Sequence, residues 1–371
     1  MKITTVETYH VRHKLPRRIG PSTFYYGERD SLLVKIGTDE GLVGWGETAP
    51  MAGTRATIEG ALKTTLLGKD PLHHRPLWRQ LWGANFGDPL AVGAVDIALN
   101  DLRGQALNVP IAELFGGRLR QRVPVYASAM NYSEGVDPLE QYPAEAARLV
   151  QERGLRALKM RLGGQPLRRD IAVAQAVRAA VGPDIKLMAD GNGAYTLGTA
   201  IQMGRALEEL EFYWFEEPLP QPGYVGYETL TAALDINIAA GELLGTREAA
   251  REVLQRRAMD IVQPDISLCG GIGECLFMAE LARLWSIPCV PHAWGGAITL
   301  AATIHLLSLL PDASWARQTE TPMLEFDVYE NPFRDAIVAQ PIQIVDGMVD
   351  VPTMPGLGIK IIEEELARYQ V

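Results

Sequence analysis

Short apolar segments, each followed by a polar residue, recur along the middle of the chain. The segments IKLMAD, FYWFE, INIAAGE, MDIVQPD and IPCVPH end at Asp190, Glu216, Glu242, Asp265 and His292, at intervals of 26, 26, 23 and 27 residues. About 25 residues is the length taken by one strand, one crossover helix and two short loops. The pattern therefore predicts parallel strands alternating with helices. In a closed barrel of such units, the carboxyl ends of the strands converge on one face.

The repeating unit begins at VPVYAS and accounts for residues 121–339, with eight predicted strands and about seven helices. Residues 1–120 differ: MKITTVETYHV, SLLVKIGT and GLVGWGET predict an antiparallel meander, and helical spacing follows from residue 56. The segment between Pro16 and Asp30 contains Gly, Pro and paired aromatic residues, so we expect a loop there. The final segment, 340–371, predicts two short strands around an Asp-Gly turn that return to the first, α+β domain.

Charge and cysteine content limit the possible partners. A formal net charge of −10 argues against binding to nucleic acid or to a membrane surface. The three cysteines form neither a disulfide framework nor a close metal-binding pair. The longest apolar run, residues 297–310, is too short to span a bilayer, and the N-terminus lacks the apolar core of a signal peptide. We therefore expect a cytoplasmic protein.

Asp190, Glu216 and Glu242 carry the strongest chemical signal. Three carboxylates brought together at the mouth of a barrel repel one another unless a cation neutralises them. A set of oxygen ligands suits a hard ion, Mg²⁺ first and Mn²⁺ second, and the lack of Cys or His at the matching points argues against zinc. The alternative is three solvated carboxylates at unrelated strand ends.

Asp265 and His292 follow adjacent predicted strands. A carboxylate on one imidazole nitrogen fixes the tautomer and leaves the other nitrogen as a general base, although a structural histidine is the simpler alternative. Lys159 and Arg161 lie two residues apart on one strand and so face the same side. Inside a barrel they need anions, either a substrate carboxylate or the partners of an ordinary ion-pair network. Asn192 either donates a hydrogen bond to a substrate oxygen or has no such role.

The motifs LKMR, ADGN, WFEEP, AAGE, QPD, PHAWGG and PGLGI together resemble the enolase superfamily, and within it the mandelate racemase and muconate-lactonising enzymes. The resemblance extends over nearly the whole chain and is strongest to the mandelate racemase-like subgroup. It implies an α/β fold, a (β/α)7β modified TIM barrel with an N-terminal α+β capping domain. It also implies Mg²⁺-assisted removal of the proton α to a carboxylate, with one Mg²⁺ per subunit.

The resemblance assigns roles to individual residues. Asp190, Glu216 and Glu242 match the metal ligands, and His292 with Asp265 matches the catalytic dyad of the subgroup. Lys159 matches the first lysine of the Lys-x-Lys motif, which contacts the substrate carboxylate, whereas Arg161 replaces the second lysine. A guanidinium is a poor base but can still donate hydrogen bonds. For the glutamate of the eighth strand, which contacts the substrate carboxylate, the first choice is Glu325 and the second is Glu320.

The reaction that these features predict is dehydration of a sugar acid, an aldonate or aldarate, to a 2-keto-3-deoxy acid. Arg161 leaves one competent base, which counts against a racemase or epimerase, but these and a lactone cycloisomerase remain alternatives, as does a barrel that binds without turnover. The predicted loop also offers donors for substrate hydroxyls or a second carboxylate, unless it is simply solvated: Arg17, Arg18, Tyr25 and Tyr26. By analogy of fold we expect the protein to form a homo-oligomer. We expect its ligand to be a small-molecule carboxylate substrate.

Overall fold

Two sheets organise the computed structural model, which describes residues 1–83, 87–221 and 224–371. The first sheet is antiparallel, with strand order β3-β2-β1-β5. The second sheet has the strand order β10-β9-β8-β7-β6-β4-β11, and β12 pairs with β4 outside that order. The strands in the described ranges are β1 (Ile3–Gly20), β2 (Tyr26–Thr38), β3 (Val43–Thr48), β4 (Arg122–Ser128), β5 (Tyr132–Ser133), β6 (Ala157–Arg161), β7 (Lys186–Asp190), β8 (Trp214–Glu216), β9 (Asn237–Ala240), β10 (Ile261–Val262), β11 (Leu324–Asp327) and β12 (Met348–Asp350).

Helices connect successive strands of the second sheet and cover the first. They are α1 (Thr54–Thr57), a π-helical turn (Ile58–Leu62), α2 (Lys63–Leu66), α3 (His74–Trp82), α4 (Pro89–Leu107), α5 (Ile111–Leu114), α6 (Pro138–Arg153), α7 (Leu167–Val181), α8 (Leu197–Glu209), α9 (Tyr227–Ala233), α10 (Arg247–Gln255), α11 (Ile272–Arg283), α12 (Ala297–Leu309), α13 (Pro332–Asp335) and α14 (Glu363–Leu366). Within the described ranges, none of them has the length and hydropathy needed to cross a membrane.

The parallel strands form the predicted TIM barrel. Its seventh strand is reduced to one bridge between Val262 and Cys289, because the prolines on either side, Pro288 and Pro291, have no N–H to donate. A layer of buried side chains fills the interior, one from each of the eight strand positions: Tyr126, Ala157, Met188, Trp214, Ala239, Ile261, Val290 and Met323. The interior is therefore a packed core, and the chemistry belongs at the strand ends.

The β1–β2 hairpin is longer than predicted. The expectation of a loop from Pro16 to Asp30 is wrong, because β1 continues to Gly20 and β2 begins at Tyr26. An irregularity in the pairing falls between Lys14 and Ile19, where proline is tolerated within a strand. The end of β1 then pairs with β5, which lies in a barrel loop. This pairing fixes the tip of the first sheet against the barrel.

Helix α4 packs tightly against the first sheet and the barrel. Asp88 caps its N-terminus by accepting from the Leu90 N–H at 3.0 Å, ahead of Pro89 at the first turn. A side chain at Gly46 of β3 would come within 1.8 Å of the Ala94 carbonyl, so only glycine permits this approach. The barrel loop that contains Ser267 contacts the same helix at Gly93.

The C-terminal segment contacts both parts of the molecule. Strand β12 follows a turn in which Asp346 and Gly347 have positive φ, and it pairs antiparallel with β4. The first of the two strands predicted around this turn is reduced to a bridge at Val345, so that prediction is half wrong. Further on, Gln370 forms a bridge with Val11 of β1. The domain boundaries at residues 120 and 339 stay a prediction.

Candidate active site

The polar residues that follow the barrel strands meet at one face. In the strand register, Arg161 lies beside Asp190, and Asp190 lies beside Glu216. Asp190 and Glu216 are both buried, while Glu242, two residues beyond β9, keeps 21% of its side chain exposed. The spacing of the sequence thus corresponds to neighbouring positions at the barrel mouth.

Glu216 is held on both sides of its carboxylate. One oxygen lies 2.5 Å from Lys159 Nζ, and the other accepts from Trp214 Nε1 at 3.0 Å and from Gln263 Nε2 at 3.1 Å. Gln263 was not singled out in the sequence, although its position two residues before Asp265 in QPD places it on the same side of the chain. These contacts fix Glu216 in a single orientation.

Lys159 lies at the centre of the carboxylates. Its Nζ is 2.8 Å from Glu325 Oε1 and 3.5 Å from Asp190 Oδ2, and the side chain is fully buried. Burial alone would lower the pKa of Lys159, but Glu216, Glu325 and Asp190 outweigh it and raise that pKa above its ordinary value. The residue therefore acts as a fixed positive charge at neutral pH.

Arg161 lies one step further along β6. Its Nη1 contacts Asp190 Oδ2 and donates to Asn192 Oδ1 at 2.9 Å. Burial opposes its charge, but the nearby carboxylates, Asp190 first, raise the pKa of Arg161, so it stays protonated. Asn192 has a φ of 44° and its backbone N–H donates to Asp190 Oδ1 at 2.9 Å. Because its side-chain oxygen faces Arg161, its amide NH₂ is the group left for a substrate.

His292 and Asp265 lie in direct contact. His292 Nδ1 is 2.8 Å from Asp265 Oδ2, while Asp265 Oδ1 accepts from the Ser267 N–H at 2.7 Å and its hydroxyl at 2.6 Å. The other nitrogen, Nε2, faces Glu242 at 3.1 Å and Glu325 at 3.7 Å. Burial would lower the pKa of His292, but Glu242, Glu325 and Asp265 raise it well above its usual range.

The two candidates for the glutamate of the eighth strand lie far apart. Glu325 on β11 is buried, contacts Lys159 and accepts from the Ala293 N–H at 3.3 Å, which joins β11 to the seventh strand position. Although burial favours the neutral form, Lys159, His292 and Arg161 lower the pKa of Glu325. Glu320 instead pairs with Lys186, the first residue of β7, at the opposite end of the barrel. The second choice, Glu320, is therefore wrong.

Negative charge is in excess at this face. Three basic groups, Lys159, Arg161 and His292, meet six carboxylates, and burial together with Asp190 and Glu325 raises the pKa of Glu216 to about 7 despite Lys159. Those carboxylates are Asp190, Glu216, Glu217, Glu242, Asp265 and Glu325. The charge and the oxygen donors fit a hard divalent cation.

The positions of the predicted ligand oxygens fit a metal ion less closely than their chemistry does. Within the ranges that the structure describes, no three His, Cys, Asp or Glu side chains are arranged to hold a metal ion. Glu242 Oε2 faces His292, and Lys159 lies between Asp190 and Glu216. Metal binding by the predicted set therefore requires Glu242 to turn away from His292.

Of the four donors predicted on the first sheet, three are exposed and one has a buried hydroxyl. Arg17 and Arg18 are exposed, and Arg18 pairs with Glu134 at 2.9 Å. Tyr25 is also exposed, whereas the hydroxyl of Tyr26 is buried. The loop is held to the barrel by the Ser22 hydroxyl, which donates to the Gly191 carbonyl at 2.7 Å.

A buried glutamate of β3 also supports the site. Glu47 accepts from the Ser31 hydroxyl at 2.7 Å and from the N–H groups of Gly296 and Thr299 at 2.6 and 2.9 Å. Those N–H groups belong to the first turn of α12, where a carboxylate is favourable. Sequence reasoning missed Glu47, since nothing in GWGET indicates a partner 249 residues away.

Two family models match most of the chain. The model of the mandelate racemase / muconate lactonizing enzyme N-terminal domain matches residues 3–116. The model described as enolase C-terminal domain-like matches residues 141–365. The first match covers β1 to β3 with helices α1 to α5, and the second covers the barrel from α6 onward.

Individual relatives align over almost their full lengths. The chain is 35% identical to a D-galactarolactone cycloisomerase from Agrobacterium fabrum, with 100% of the chain and 99% of the relative covered. It is 33% identical to an arabinonate dehydratase from Saccharolobus solfataricus, over 92% of the chain and 95% of the relative. A crystal structure of a racemase from Streptomyces coelicolor with bound magnesium has a TM-score of 0.88 at 28% identity, with both chains fully covered.

Proposed function

The chain belongs to the mandelate racemase / muconate lactonizing enzyme family of the enolase superfamily, and from this premise we propose that it dehydrates a sugar acid to a 2-keto-3-deoxy acid. Membership makes it an enzyme of the lyase or isomerase type. The observation that carries the proposal is the pairing of His292 with Asp265 at 2.8 Å, opposite a cationic Arg161. An elimination needs only one base, which removes the α-proton.

The carboxylate end of the substrate binds at Lys159. This ammonium lies between Glu216 and Glu325, so it is already oriented before the substrate arrives. When bound by Asp190, Glu216 and Glu242, Mg²⁺ supplies further positive charge against the enediolate. Lys159 and Arg161 contribute fixed charges that need no reorientation during the reaction.

His292 is the base. Asp265 accepts a hydrogen bond from the N–H at Nδ1. Glu242 is the first of the carboxylates that raise the pKa of His292, so once it turns away the neutral imidazole is favoured and Nε2 can take the α-proton. The electrons of the C–H bond enter the enediolate. They then expel the β-hydroxyl, which leaves as water with the proton that Nε2 returns. The enol that remains tautomerises to the keto acid.

A lactone cycloisomerase is the second candidate, and the single base also favours it. Removal of the α-proton can expel the ring oxygen of a lactone instead of a hydroxyl, and the product then keeps the mass of the substrate. Racemisation and epimerisation fit less well, because a second base on the other face is required and Arg161 is protonated. The mass of the product separates the two candidates.

The test is a screen of Mg²⁺-loaded protein against aldonates, aldarates and their lactones, with keto-acid trapping and NMR in D₂O. Keto acid with loss of one water supports dehydration, and keto acid at constant mass supports cycloisomerisation. Deuterium at the α-position without a keto acid would point to epimerisation. Removal of metal by a chelator should abolish turnover, and Mg²⁺ should restore it.

The remaining features follow the same premise. We propose that Mn²⁺ can replace Mg²⁺, that the enzyme is cytoplasmic and homo-oligomeric, and that the capping domain spans residues 1–120 with 340–371 around a barrel of 121–339. Glu325 and Asn192 are assigned to substrate binding. Glu325 contacts Lys159, and Asn192 contacts Arg161.

A further inference from the structure

A second group of polar side chains lies above the catalytic residues. We call Lys159, His292 and Glu325 the lower layer, and Arg161, Trp294 and Asp327, each two residues further along the chain, the upper layer. Two residues of a strand span about 6–7 Å. On β6 and β11 the upper-layer residue therefore lies about 6–7 Å beyond the lower-layer residue, towards the first sheet. The first sheet adds Tyr26 and Arg29 of β2 to the upper layer.

Contacts connect the upper layer into one cluster. Arg29 Nη2 lies 2.5 Å from Asp327 Oδ2, and both side chains are more than nine-tenths buried. The Arg29 guanidinium lies 5.2 Å from the centre of the Trp294 ring, and that of Arg161 lies 5.7 Å from it. Trp294, two residues beyond the base, therefore lies close to both guanidinium groups.

The cluster contains polar atoms without partners. In the part of the chain that the structure describes, the Tyr26 hydroxyl and the Arg29 Nε are buried and lack a hydrogen-bond partner. Tyr26 begins β2 and lies three residues before Arg29 on that strand. A buried hydroxyl or guanidinium without a partner is costly, and a ligand hydroxyl would satisfy both.

The charges of the cluster disfavour a second carboxylate. Arg29 is already paired with Asp327, and Arg161 is paired with Asp190. A carboxylate that entered the upper layer would meet Asp327 and find both guanidinium groups of that layer already paired. A neutral hydroxyl can donate to Asp327 and accept from Arg29 or Tyr26 without that penalty.

We propose that Tyr26, Arg29 and Asp327 form a subsite for the terminal hydroxyl of the substrate, so that the enzyme acts on monoacid sugars and rejects diacids. This inference rests on the proposed function, because the lower layer must hold the carboxylate that reacts. Asp327 excludes a second carboxylate, Arg29 and Tyr26 hold the hydroxyl, and Trp294 covers the apolar side of the carbon chain.

The test compares acids that differ only at C6: gluconate with glucarate, and galactonate with galactarate. Calorimetric titration of the Mg²⁺-loaded His292→Asn protein measures binding without turnover, and wild-type kcat/KM is measured beside it. In whichever of the two pairs binds more tightly, we expect the monoacid to bind about 100-fold more tightly than the diacid. Equal or tighter binding of the diacid would overturn the inference, as would failure of all four acids to bind. Monoacid binding without wild-type turnover would count against the proposed function alone.

Two substitutions examine the subsite itself. Asp327→Asn should reduce the preference for the monoacid at least about tenfold, because it removes the charge that repels the diacid. Tyr26→Phe removes a single hydroxyl and should raise KM for the monoacid about threefold to tenfold, more than it lowers kcat. Asp312→Asn, which breaks the Arg120–Asp312 pair at the other end of the barrel, is the matched control. An unchanged preference in Asp327→Asn with an unchanged KM in Tyr26→Phe would mean that the cluster only joins the two domains.

Discussion

The ion pairs at the two ends of the barrel differ in burial. At the mouth, Lys159 and three carboxylates are buried together, and each contact between them is direct. At the base, Lys186 pairs with Glu320 and Arg120 pairs with Asp312, and the carboxylates of these pairs are 53% and 39% exposed. Similar residue types therefore perform different tasks at the two ends.

The difference follows from solvation. Exposed ion pairs gain little, because water competes for both partners. Buried charges lose their hydration and depend wholly on one another, so the removal of one partner leaves the rest uncompensated. The mouth is thus organised for charge stabilisation during the reaction rather than for the stability of the fold, and this contrast can be tested at both ends.

The largest effect is expected from the matched pair Lys159→Met and Lys186→Met. Loss of Lys159 leaves Glu216 and Glu325 without their cation and should lower the free energy of unfolding by about 3–5 kcal/mol. Activity should be abolished. Loss of Lys186 should cost less than about 1 kcal/mol and leave kcat/KM unchanged. Urea unfolding monitored by tryptophan fluorescence measures both variants, and equal costs would contradict the proposed contrast.

Next in size is the effect of removing the base. His292→Asn should lower kcat about 10³-fold or more and abolish α-proton exchange in D₂O, while circular dichroism stays unchanged. Asp265→Asn should lower kcat about 10²-fold to 10⁴-fold, because the imidazole loses the group that orients it. Exchange that persists at the wild-type rate in His292→Asn would transfer the role of base to another residue.

Much of this site could be predicted from spacing alone, because the interval between strand ends depends only on strand and helix length. Asp190, Glu216, Asp265 and His292 follow from that interval. The contact between Arg29 and Asp327 does not, since it joins residues almost 300 positions apart whose neighbours carry no shared pattern. The orientation of Glu242 toward His292 is a side-chain torsion set by charge, which no periodicity records.

The extended hairpin escaped prediction for a different reason. Strand signals depend on alternation of buried and exposed residues, and the irregular pairing between Lys14 and Ile19 interrupts that alternation. Pro16 in the same stretch favours a loop by composition. Tertiary pairing with β5 compensates for both, and that pairing becomes visible only when the barrel is present.

A smaller, pH-dependent effect is expected from His305, a buried residue away from the mouth. Its Nε2 lies 3.2 Å from the Leu357 carbonyl, and burial lowers the pKa of His305 to about 4. The folded protein therefore holds His305 neutral, whereas the unfolded chain protonates it near pH 6.5. Stability from this residue is complete above that pH and is lost as the pH falls towards 4, by about 3 kcal/mol.

The comparison of wild type with His305→Gln isolates this contribution. The stability difference between the two proteins should shift in favour of the variant as the pH falls from 7 to 4.5. Urea unfolding at a series of pH values measures the shift. A difference that stays constant across this range would mean that His305 is not kept neutral by burial.

The smallest effect belongs to the base of the barrel. Asp312→Asn removes a carboxylate that lies 2.9 Å from Arg120 Nη2 and is 39% exposed. Arg120 also donates to the Leu307 carbonyl at 2.8 Å, so its position does not depend on Asp312 alone. The free energy of unfolding should change by less than about 0.5 kcal/mol, and the change should vanish in high salt. If Asp312→Asn costs as much as Lys159→Met, the difference in burial is not what separates the two ends of the barrel.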